Sequence, residues 1–470
     1  MPSELTRADT GATLLPMEKK GLTFSQWLVL AACFLGWMFD GVEMGLFPQV
    51  VRPALNSMGI LDDGQVGFYN GCIMAAFLLG AATGGLVFGW LGDKIGRVRS
   101  MVISITVYSL LTGACALAQV PWHLGTLCFL AALGMGGEWA LAVSLVMECW
   151  PEKHRPKLAG AIGAASNFGF LFIALVAMNW RPTADRWRWI MLVGALPAVL
   201  ALLVSLFVPE SQRWKESVKR GASKPLREIF SRKLLKSTLL AIVFASVPLI
   251  GTWAAVSGWT PTWVDQMKQM ELAKQQLSAD QRKHVEEIQM PDERLKMAHE
   301  LLPSKDLWKK INLESSSCKG LVQVFLAIGA IVGCFIAPLL GGIWGRRPVY
   351  FALCVVSLVV CQYLYRFHDV FNAEFMALAF LAGGVTAAFY GWLPLYLPEI
   401  FPTRVRATGQ GLSFNFGRIL ASAAAFNMGQ IVKMIHGNYG SAAATVTLVY
   451  LVGMVVIWFA PETKGRPLPE

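Results

Sequence analysis

The stretch "GWLGDKIGRVRS", residues Gly89–Ser100, recurs in degenerate form as "GGIWGRRP", residues Gly341–Pro348. The two copies belong to a longer repeat in which identical residues recur 249 positions apart. These residues are Gly80, Gly84, Gly96, Arg97, Arg155 and Gly160, which match Gly329, Gly333, Gly345, Arg346, Arg404 and Gly409. Each half also ends alike, in "FVPES" at 207–211 and "FAPET" at 459–463. The repeat predicts two structurally similar halves in one chain.

The halves are built from long apolar stretches. The chain has 470 residues, of which 55% are hydrophobic and only 15% charged, a composition typical of a polytopic membrane protein. Stretches of about 20 apolar residues are long enough to cross a bilayer as helices. Twelve of them lie near 24–48, 65–91, 100–120, 123–147, 158–179, 188–208, 237–263, 320–341, 348–365, 374–397, 408–432 and 441–460. The prediction is an all-α membrane protein with twelve transmembrane helices in two pseudo-symmetric six-helix bundles.

The spans divide the chain into five segments. We expect a cytoplasmic tail at 1–23, a first bundle at 24–210, a cytoplasmic linker at 211–236, a second bundle at 237–460 and a cytoplasmic tail at 461–470. Lys and Arg are concentrated in loops on the side of both tails, which places that side in the cytoplasm of a cell membrane. The first tail shows no removable signal peptide.

A long insertion, residues 265–319, falls on the opposite side and has balanced charge. Spaced apolar residues such as Met267 and Met270 predict short amphipathic helices in it. It is either a solvated cap or a segment that captures substrate or binds a partner.

Charge and motif content limit the function. The net charge of +11 comes from scattered basic clusters, which argues against nucleic-acid binding. The sequence has no phosphate-binding loop, no nucleophile or zinc-protease motif and no paired cysteine ligands, so we expect no catalytic residues, metal or cofactor. Two parallel six-helix halves are typical of transporters that bind their substrate between the halves near mid-membrane. A sensor with the same architecture is the alternative outside transport.

Several motifs resemble one family. Residues 89–100 resemble the signature loop of the major facilitator superfamily, while "PESQRW" at 209–214 and "PETKG" at 461–465 resemble half-ending motifs of its sugar-porter-like members. "FDGVEMG" at 39–45 is similar to the first-helix acid motif of proton-coupled aromatic-acid and organic-anion symporters. "GMGGEW", "ECWPEKHR" and "FPTRVRATGQGLSFNFGRI" resemble sialate and carboxylate symporters. Glu43 departs from the aromatic-acid members, which usually have Asp at this position.

The resemblance implies a cytoplasmic gate between the halves. Asp93 and Arg97 of the signature loop are its central members, and Gly342 replaces the acid in the second copy. The full set assigned to the gating motif is Gly89, Asp93, Gly96, Arg97, Glu148, Arg155, Glu399 and Arg404.

Four ionisable residues lie within the predicted spans: Asp40, Glu43, Glu138 and Arg418. Each costs about 2.5–3.5 kcal/mol at a helix centre, so each is expected to face a cavity or a partner. A carboxylate in an alternating cavity can take up a proton on one side and release it on the other. The three acids are therefore candidates for proton coupling, with a structural ion pair as the alternative.

Arg418 falls near the bilayer midplane, about 15 Å along its span at 1.5 Å per residue. Its planar fork suits a substrate carboxylate, although an ion pair with Asp40 or Glu138 is the competing interpretation. The remaining predicted substrate-binding residues are Asn415, Asn167, Trp139 and Tyr390. The sequence thus predicts a monomeric secondary transporter in the lipid bilayer, moving a small organic anion by proton symport. Facilitated sugar transport and drug or metabolite efflux are the alternatives.

Overall fold

The computed structural model describes residues 22–179, 183–221, 224–288, 290–426 and 439–470. Within these residues the regular structure is helical throughout. The helices of the first half are α1 (Phe24–Ser57), α2 (Asp63–Ile95), α3 (Arg97–Ala114), α4 (Pro121–Met135), α5 (Glu138–Cys149), α6 (Arg155–Asn179), α7 (Trp187–Val193) and α8 (Pro197–Phe207). Two short helices, α9 (Gln212–Lys219) and α10 (Pro225–Ile229), occupy the predicted linker.

The second half repeats this order with an insertion. Its helices are α11 (Leu235–Pro248), a π-helical segment (Leu249–Ser257), α12 (Gly258–Gln276), α13 (Ala279–Glu287), α14 (Pro291–Leu301), α15 (Lys305–Trp344), α16 (Arg346–Phe367), α17 (Ala373–Ala387), α18 (Phe389–Ile400), α19 (Arg406–Phe426), α20 (Tyr439–Val446) and α21 (Val449–Val456). Eleven candidate membrane spans are found among the described residues. The predicted span at 408–432 corresponds to α19, and its last part, 427–432, lies outside the described residues.

Glycine pairs bring neighbouring helices together at equivalent places in the two halves. A Cβ atom on Gly84 of α2 would collide with the backbone carbonyl of Leu133 in α4. A Cβ atom on Gly333 of α15 would likewise collide with the carbonyl of Gly384 in α17. The repeated small residues therefore let neighbouring helices approach closely in both halves.

Four predicted spans are broken rather than continuous: 123–147, 188–208, 374–397 and 441–460. Two of these breaks contribute to the candidate site. The span at 123–147 is interrupted at Gly136 and Gly137, and the span at 374–397 is interrupted at Ala388. The first break packs tightly on α2, because a Cβ on Gly136 would collide with the carbonyl of Ala81. Glu138 follows its break directly and Tyr390 lies two residues after Ala388, so each of these breaks is followed closely by a buried polar group.

The two ends of the bundle are distinct. The signature end holds the α2–α3 turn at Gly96, the α15–α16 turn at Gly345 and the linker helices. The cap end holds the insertion, where α12 and α15 extend past the bundle and α13 and α14 lie between them. The insertion has a small core of its own, in which Ala273, Ala298, Trp308 and Ile311 are buried. The prediction of short helices in the insertion is confirmed for α13 and α14, but it is wrong for Met267 and Met270, which lie on α12, the helix that continues from the seventh span.

Candidate functional site

Three buried acids lie inside the first half. Asp40 and Glu138 are fully buried, and Glu43 is 1% exposed. Thr112 of α3 donates a hydrogen bond to Glu43 over 2.5 Å. Within the described part of the chain, no group donates a hydrogen bond to either carboxylate oxygen of Asp40 or Glu138. An ionised carboxylate without donors is costly to bury, so these two groups are suited to holding a proton.

The acids form one electrostatic group. The charges of Glu138 and Glu43 act on Asp40, and so does the opposite charge of Arg418. Glu138 reaches α1 directly, because a Cβ on Gly36 would collide with its carboxylate. The sequence alone identified the acids but could not reveal that they share one environment.

Arg418 lies at the seam between the halves. It is 4% exposed and donates to Asn415 Oδ1 over 3.1 Å. A second contact crosses the seam, since its Nη2 lies 3.9 Å from the sulfur of Met44 in α1. Its guanidinium carbon lies 5.0 Å from the centre of the Phe414 ring and 5.8 Å from that of Trp37, both within the range of cation–π attraction.

Phe414 is the centre of an aromatic cluster, which we define as Trp37, Trp139, Tyr390 and Phe414. Trp139 stacks on Phe414 with ring centres 4.2 Å apart and an interplanar angle of 14°. Trp37 and Tyr390 meet the same ring edge-on, with centres 6.2 Å and 6.3 Å away. Trp37 and Trp139 come from the first half, whereas Tyr390 and Phe414 come from the second. The cluster therefore spans the seam.

Four of the five predicted substrate-binding residues lie in this region. The fifth, Asn167, lies at a different contact between the halves. Trp139, Tyr390, Asn415 and Arg418 are connected through the contacts just described. Asn415 also donates to the carbonyl of Gly136 over 3.3 Å, which joins α19 to the break before α5. Asn167 instead contacts Cys334 of α15 over 3.8 Å.

Trp37 and Phe414 were missed at the sequence level because an aromatic residue in a membrane helix carries no distinguishing signal. Phe414 precedes Arg418 by one helical turn, which in hindsight places the ring and the guanidinium on one face.

A buried charge network, consisting of Asp93, Arg97, Glu148 and Arg406, joins the halves at the signature end. Arg97 is fully buried and donates to Asp93 over 2.7 Å and to Glu148 over 3.1 Å. It also donates across the seam to the carbonyl of Thr403 over 2.7 Å. Arg406 of the second half donates to the same Glu148 over 2.8 Å. Each charge is thereby paired, which buried charges require.

Asp93 adds a second link across the seam. It accepts hydrogen bonds from the backbone nitrogen of Thr408 over 2.8 Å and from the Thr408 hydroxyl over 2.5 Å. These donors belong to the first turn of α19, where free backbone N–H groups and the helix dipole favour a negative charge. Gly89 allows the approach, because a Cβ there would meet the carbonyl of Ala407.

The structural counterpart of Arg155 is Arg406 rather than Arg404. Arg155 and Arg406 each begin a long helix directly after a short 3₁₀ turn, so the repeat offset at this loop is 251 rather than 249. Arg404 lies outside the charge network and pairs with Glu228 of α10 over 2.5 Å. Arg155 pairs with Glu152 over 2.7 Å.

The second half contains an equivalent pair that stays within that half. Arg346 donates to both oxygens of Glu399, over 2.6 Å and 3.0 Å. Thr463 donates to the same carboxylate over 2.5 Å, as Ser211 does to Glu148. The described hydrogen bonds of Glu399 all come from the second half, whereas Glu148 is shared between halves.

The turns that carry these arginines need glycine. Gly96 and Gly345 have φ values of +113° and +103°, in the region that favours glycine. The half-ending acids cap the helices that follow: Glu210 accepts from the backbone nitrogen of Arg97 over 3.0 Å, and Glu462 accepts from that of Arg346 over 3.0 Å. Partial burial opposes ionisation of Glu462, but the backbone N–H groups it faces lower its pKa below the usual value.

The final described residues cover the charge network. The carbonyl of Pro469 accepts hydrogen bonds from the backbone nitrogen of Thr403 over 3.2 Å and from Arg406 over 2.9 Å. Glu470 pairs with Arg220, next to α9. The predicted tail at 461–470 is thus packed onto the signature end.

The fold and this seam define a multi-pass membrane transporter built from two six-helix halves. Residues 23–278 match the family described as "Major Facilitator Superfamily", and residues 351–470 match the family described as "Sugar (and other) transporter". The chain belongs to the major facilitator superfamily. The expectation of a transporter rather than an enzyme is therefore confirmed.

Known relatives are similar along nearly the full chain. The "Probable 4-methylmuconolactone transporter" of Cupriavidus pinatubonensis is 27% identical over 96% of this chain and 92% of its own length. The "Cis,cis-muconate transport protein" of Acinetobacter baylyi is 24% identical, covering 92% of this chain and 94% of its own. Among solved structures, a double-tryptophan mutant of XylE, the xylose transporter of Escherichia coli, has a TM-score of 0.65 at 17% identity, covering 94% of this chain and 97% of its own.

The charge network gives a test of closure at the signature end. Ser144 is fully buried beside the seam, where Gln410 donates to it over 3.3 Å. We expect Glu148→Gln to speed maleimide labelling of a Ser144→Cys probe, in a background without other cysteines, by roughly tenfold or more. The reason is that removing one partner of a buried ion pair costs about 3–5 kcal/mol.

The matched control is Glu399→Gln, which removes the equivalent acid of the second half. Because its partners lie within one half, labelling should stay close to that of the parent. Equal labelling rates in the two variants would contradict a special role of Glu148 between the halves.

Proposed function

We propose that this protein is a proton-coupled symporter of small organic carboxylates that works by alternating access. The observation that carries the proposal is the position of Arg418. A permanent positive charge is buried at the seam between the halves, on the aromatic cluster, and it interacts electrostatically with Asp40 of the other half. An anion entering the seam would find its counter-charge there.

Substrate recognition follows from the donors at this site. The guanidinium of Arg418 can hold a carboxylate through two parallel hydrogen bonds. Trp139 supplies a further donor, because its indole N–H is buried and has no acceptor among the described residues. The names of the two relatives, a methylmuconolactone and a muconate transporter, support a carboxylate substrate.

Proton coupling is assigned to Asp40, with Glu43 and Glu138 as further acceptors. A carboxylate bound at Arg418 neutralises the positive charge that favours ionised Asp40, so substrate binding and protonation of Asp40 reinforce each other. The negative charge of the substrate carboxylate and the positive charge of the proton would then cross the membrane together and neutralise each other. This coupling requires Asp40 and Arg418 to face the same cavity.

Alternating access is assigned to the charge network. We place the signature end in the cytoplasm, in agreement with the Lys and Arg distribution of the loops. In the described state this end is closed by the bonds of Arg97, Asp93 and Arg406 across the seam. Opening to the cytoplasm breaks these bonds, and we propose that this step releases substrate and proton. The domain boundaries at 24–210 and 237–460 then correspond to the two moving bodies.

Uptake into proteoliposomes tests the proposed substrate class. Labelled carboxylates such as muconate and benzoate should accumulate when the pH is lower outside, whereas hexoses should not. Arg418→Lys keeps the charge but loses the planar fork, so we expect the affinity for the carboxylate to fall; Arg418→Ala should nearly eliminate binding. Unchanged affinities in both variants, in protein shown to be folded, would refute carboxylate recognition at Arg418.

The role of Asp40 is separable from substrate binding. Asp40→Asn mimics the protonated form permanently, so we expect it to abolish accumulation driven by a pH gradient while sparing exchange of internal for external substrate. Exchange needs no net release of the proton. Equal loss of both activities in a folded variant would show that Asp40 does not carry the proton, and Glu43→Gln would be the next variant to measure.

A further inference from the structure

The aromatic cluster contains more specific information about the substrate than the buried charge does. Any anion would be attracted by Arg418, but the guanidinium is flanked by flat aromatic faces. Phe414 touches every other member of the cluster and also lies 5.0 Å from the guanidinium carbon. One ring thus borders both the charged group and the surrounding aromatic side chains.

The arrangement crosses the seam that must separate during transport. Trp139 and Phe414 come from different halves, yet they stack almost parallel at 4.2 Å. Both side chains are 1% exposed. A stack of this kind, built from one ring of each half, is a place where a flat ligand can replace one protein ring as the partner of the other.

Polar groups around the stack also fit a flat ligand with a carboxylate at one end. The indole N–H of Trp139 is buried without an acceptor among the described residues and can donate to a carboxylate oxygen. Because Arg418 and Phe414 are only one helical turn apart, a carboxylate held by the guanidinium would position the atoms attached to it over the Phe414 face. A ligand whose carboxylate is conjugated to a planar system meets both requirements without distortion.

We infer that the site selects planar, conjugated carboxylates over saturated ones of equal charge and similar size, with Phe414 as the residue that determines this specificity. The inference rests on the proposed function and narrows its substrate class. A puckered ring or a flexible saturated chain can reach Arg418 but cannot lie flat on Phe414. Stacking on an aromatic ring favours the planar ligand by roughly two- to tenfold in affinity.

Two matched ligand pairs test the inference by titration calorimetry of the protein in lipid nanodiscs. Muconate and adipate are six-carbon dicarboxylates that differ only in their double bonds, and benzoate and cyclohexanecarboxylate differ in the same way. We expect the parent protein to bind the planar member of each pair more tightly. Phe414→Leu should reduce that preference to near unity, chiefly by weakening the planar ligand, and Phe414→Tyr should retain it.

The matched control is Phe375→Leu, which removes a fully buried ring that packs on Trp263, outside the aromatic cluster. This variant should keep the preference of the parent. A preference that survives in Phe414→Leu overturns the role of Phe414. Equal binding of both ligands of a pair by the parent overturns planar selection but leaves carboxylate recognition at Arg418 intact. Failure of the parent to bind any of the four acids overturns the proposed function itself, and this inference with it.

Discussion

The buried guanidinium of Arg97 is the constraint on which the signature end depends. A permanent charge with no exposed surface needs acceptors inside the protein, and the two terminal nitrogens of Arg97 find them in Asp93, Glu148 and the carbonyls of Gly92 and Thr403. The last of these belongs to the other half of the chain. Arg97 therefore holds the halves together at this end, because losing one of its partners would leave a buried charge uncompensated unless another acceptor or water replaced it.

The duplicated sequence produces an asymmetric pair of networks. Arg97 with Glu148 and Arg346 with Glu399 are equivalent pairs, but only the first is shared across the seam. One residue contributes directly to the difference. Asp93 binds the first turn of α19, whereas the second copy has Gly342 at this position and no carboxylate. Both acids of the network thus come from the first half, while donors cross the seam from both halves, Arg97 from the first and Arg406 and Thr408 from the second. The second copy serves mainly to stabilise its own bundle.

In the centre of the protein the charges are divided between the halves by sign. The first half contributes the buried acids and the second contributes Arg418, so neither half satisfies its charges alone. Burying such groups in hydrocarbon is unfavourable unless they face a partner or a wet cavity. The proposed binding of an anion and a proton at this seam would give both charges a reason to lie there.

Much of this could be predicted from the sequence, because hydropathy and the repeated signature act locally. The spans, the duplication, the acids and Arg418 all follow from composition and spacing. The break before Glu138 could not be predicted, because Gly136 and Gly137 read as ordinary small residues until their contact with α2 is known. Arg406 was missed because the repeat offset drifts from 249 at Arg97 to 251 at Arg155. Phe414 and Trp37 acquire meaning only from contacts across the seam.

Distance measurement by double electron–electron resonance tests alternating access at the charge network most directly. One pair of spin labels, at Lys157 and Ile343, spans the seam at the signature end, and a second pair, at Leu61 and Leu313, spans the cap end; all four positions are exposed. With muconate at low pH, alternating access predicts a longer population for the first pair and a shorter one for the second. Unchanged distributions for both pairs, in labelled protein that still transports, would contradict it.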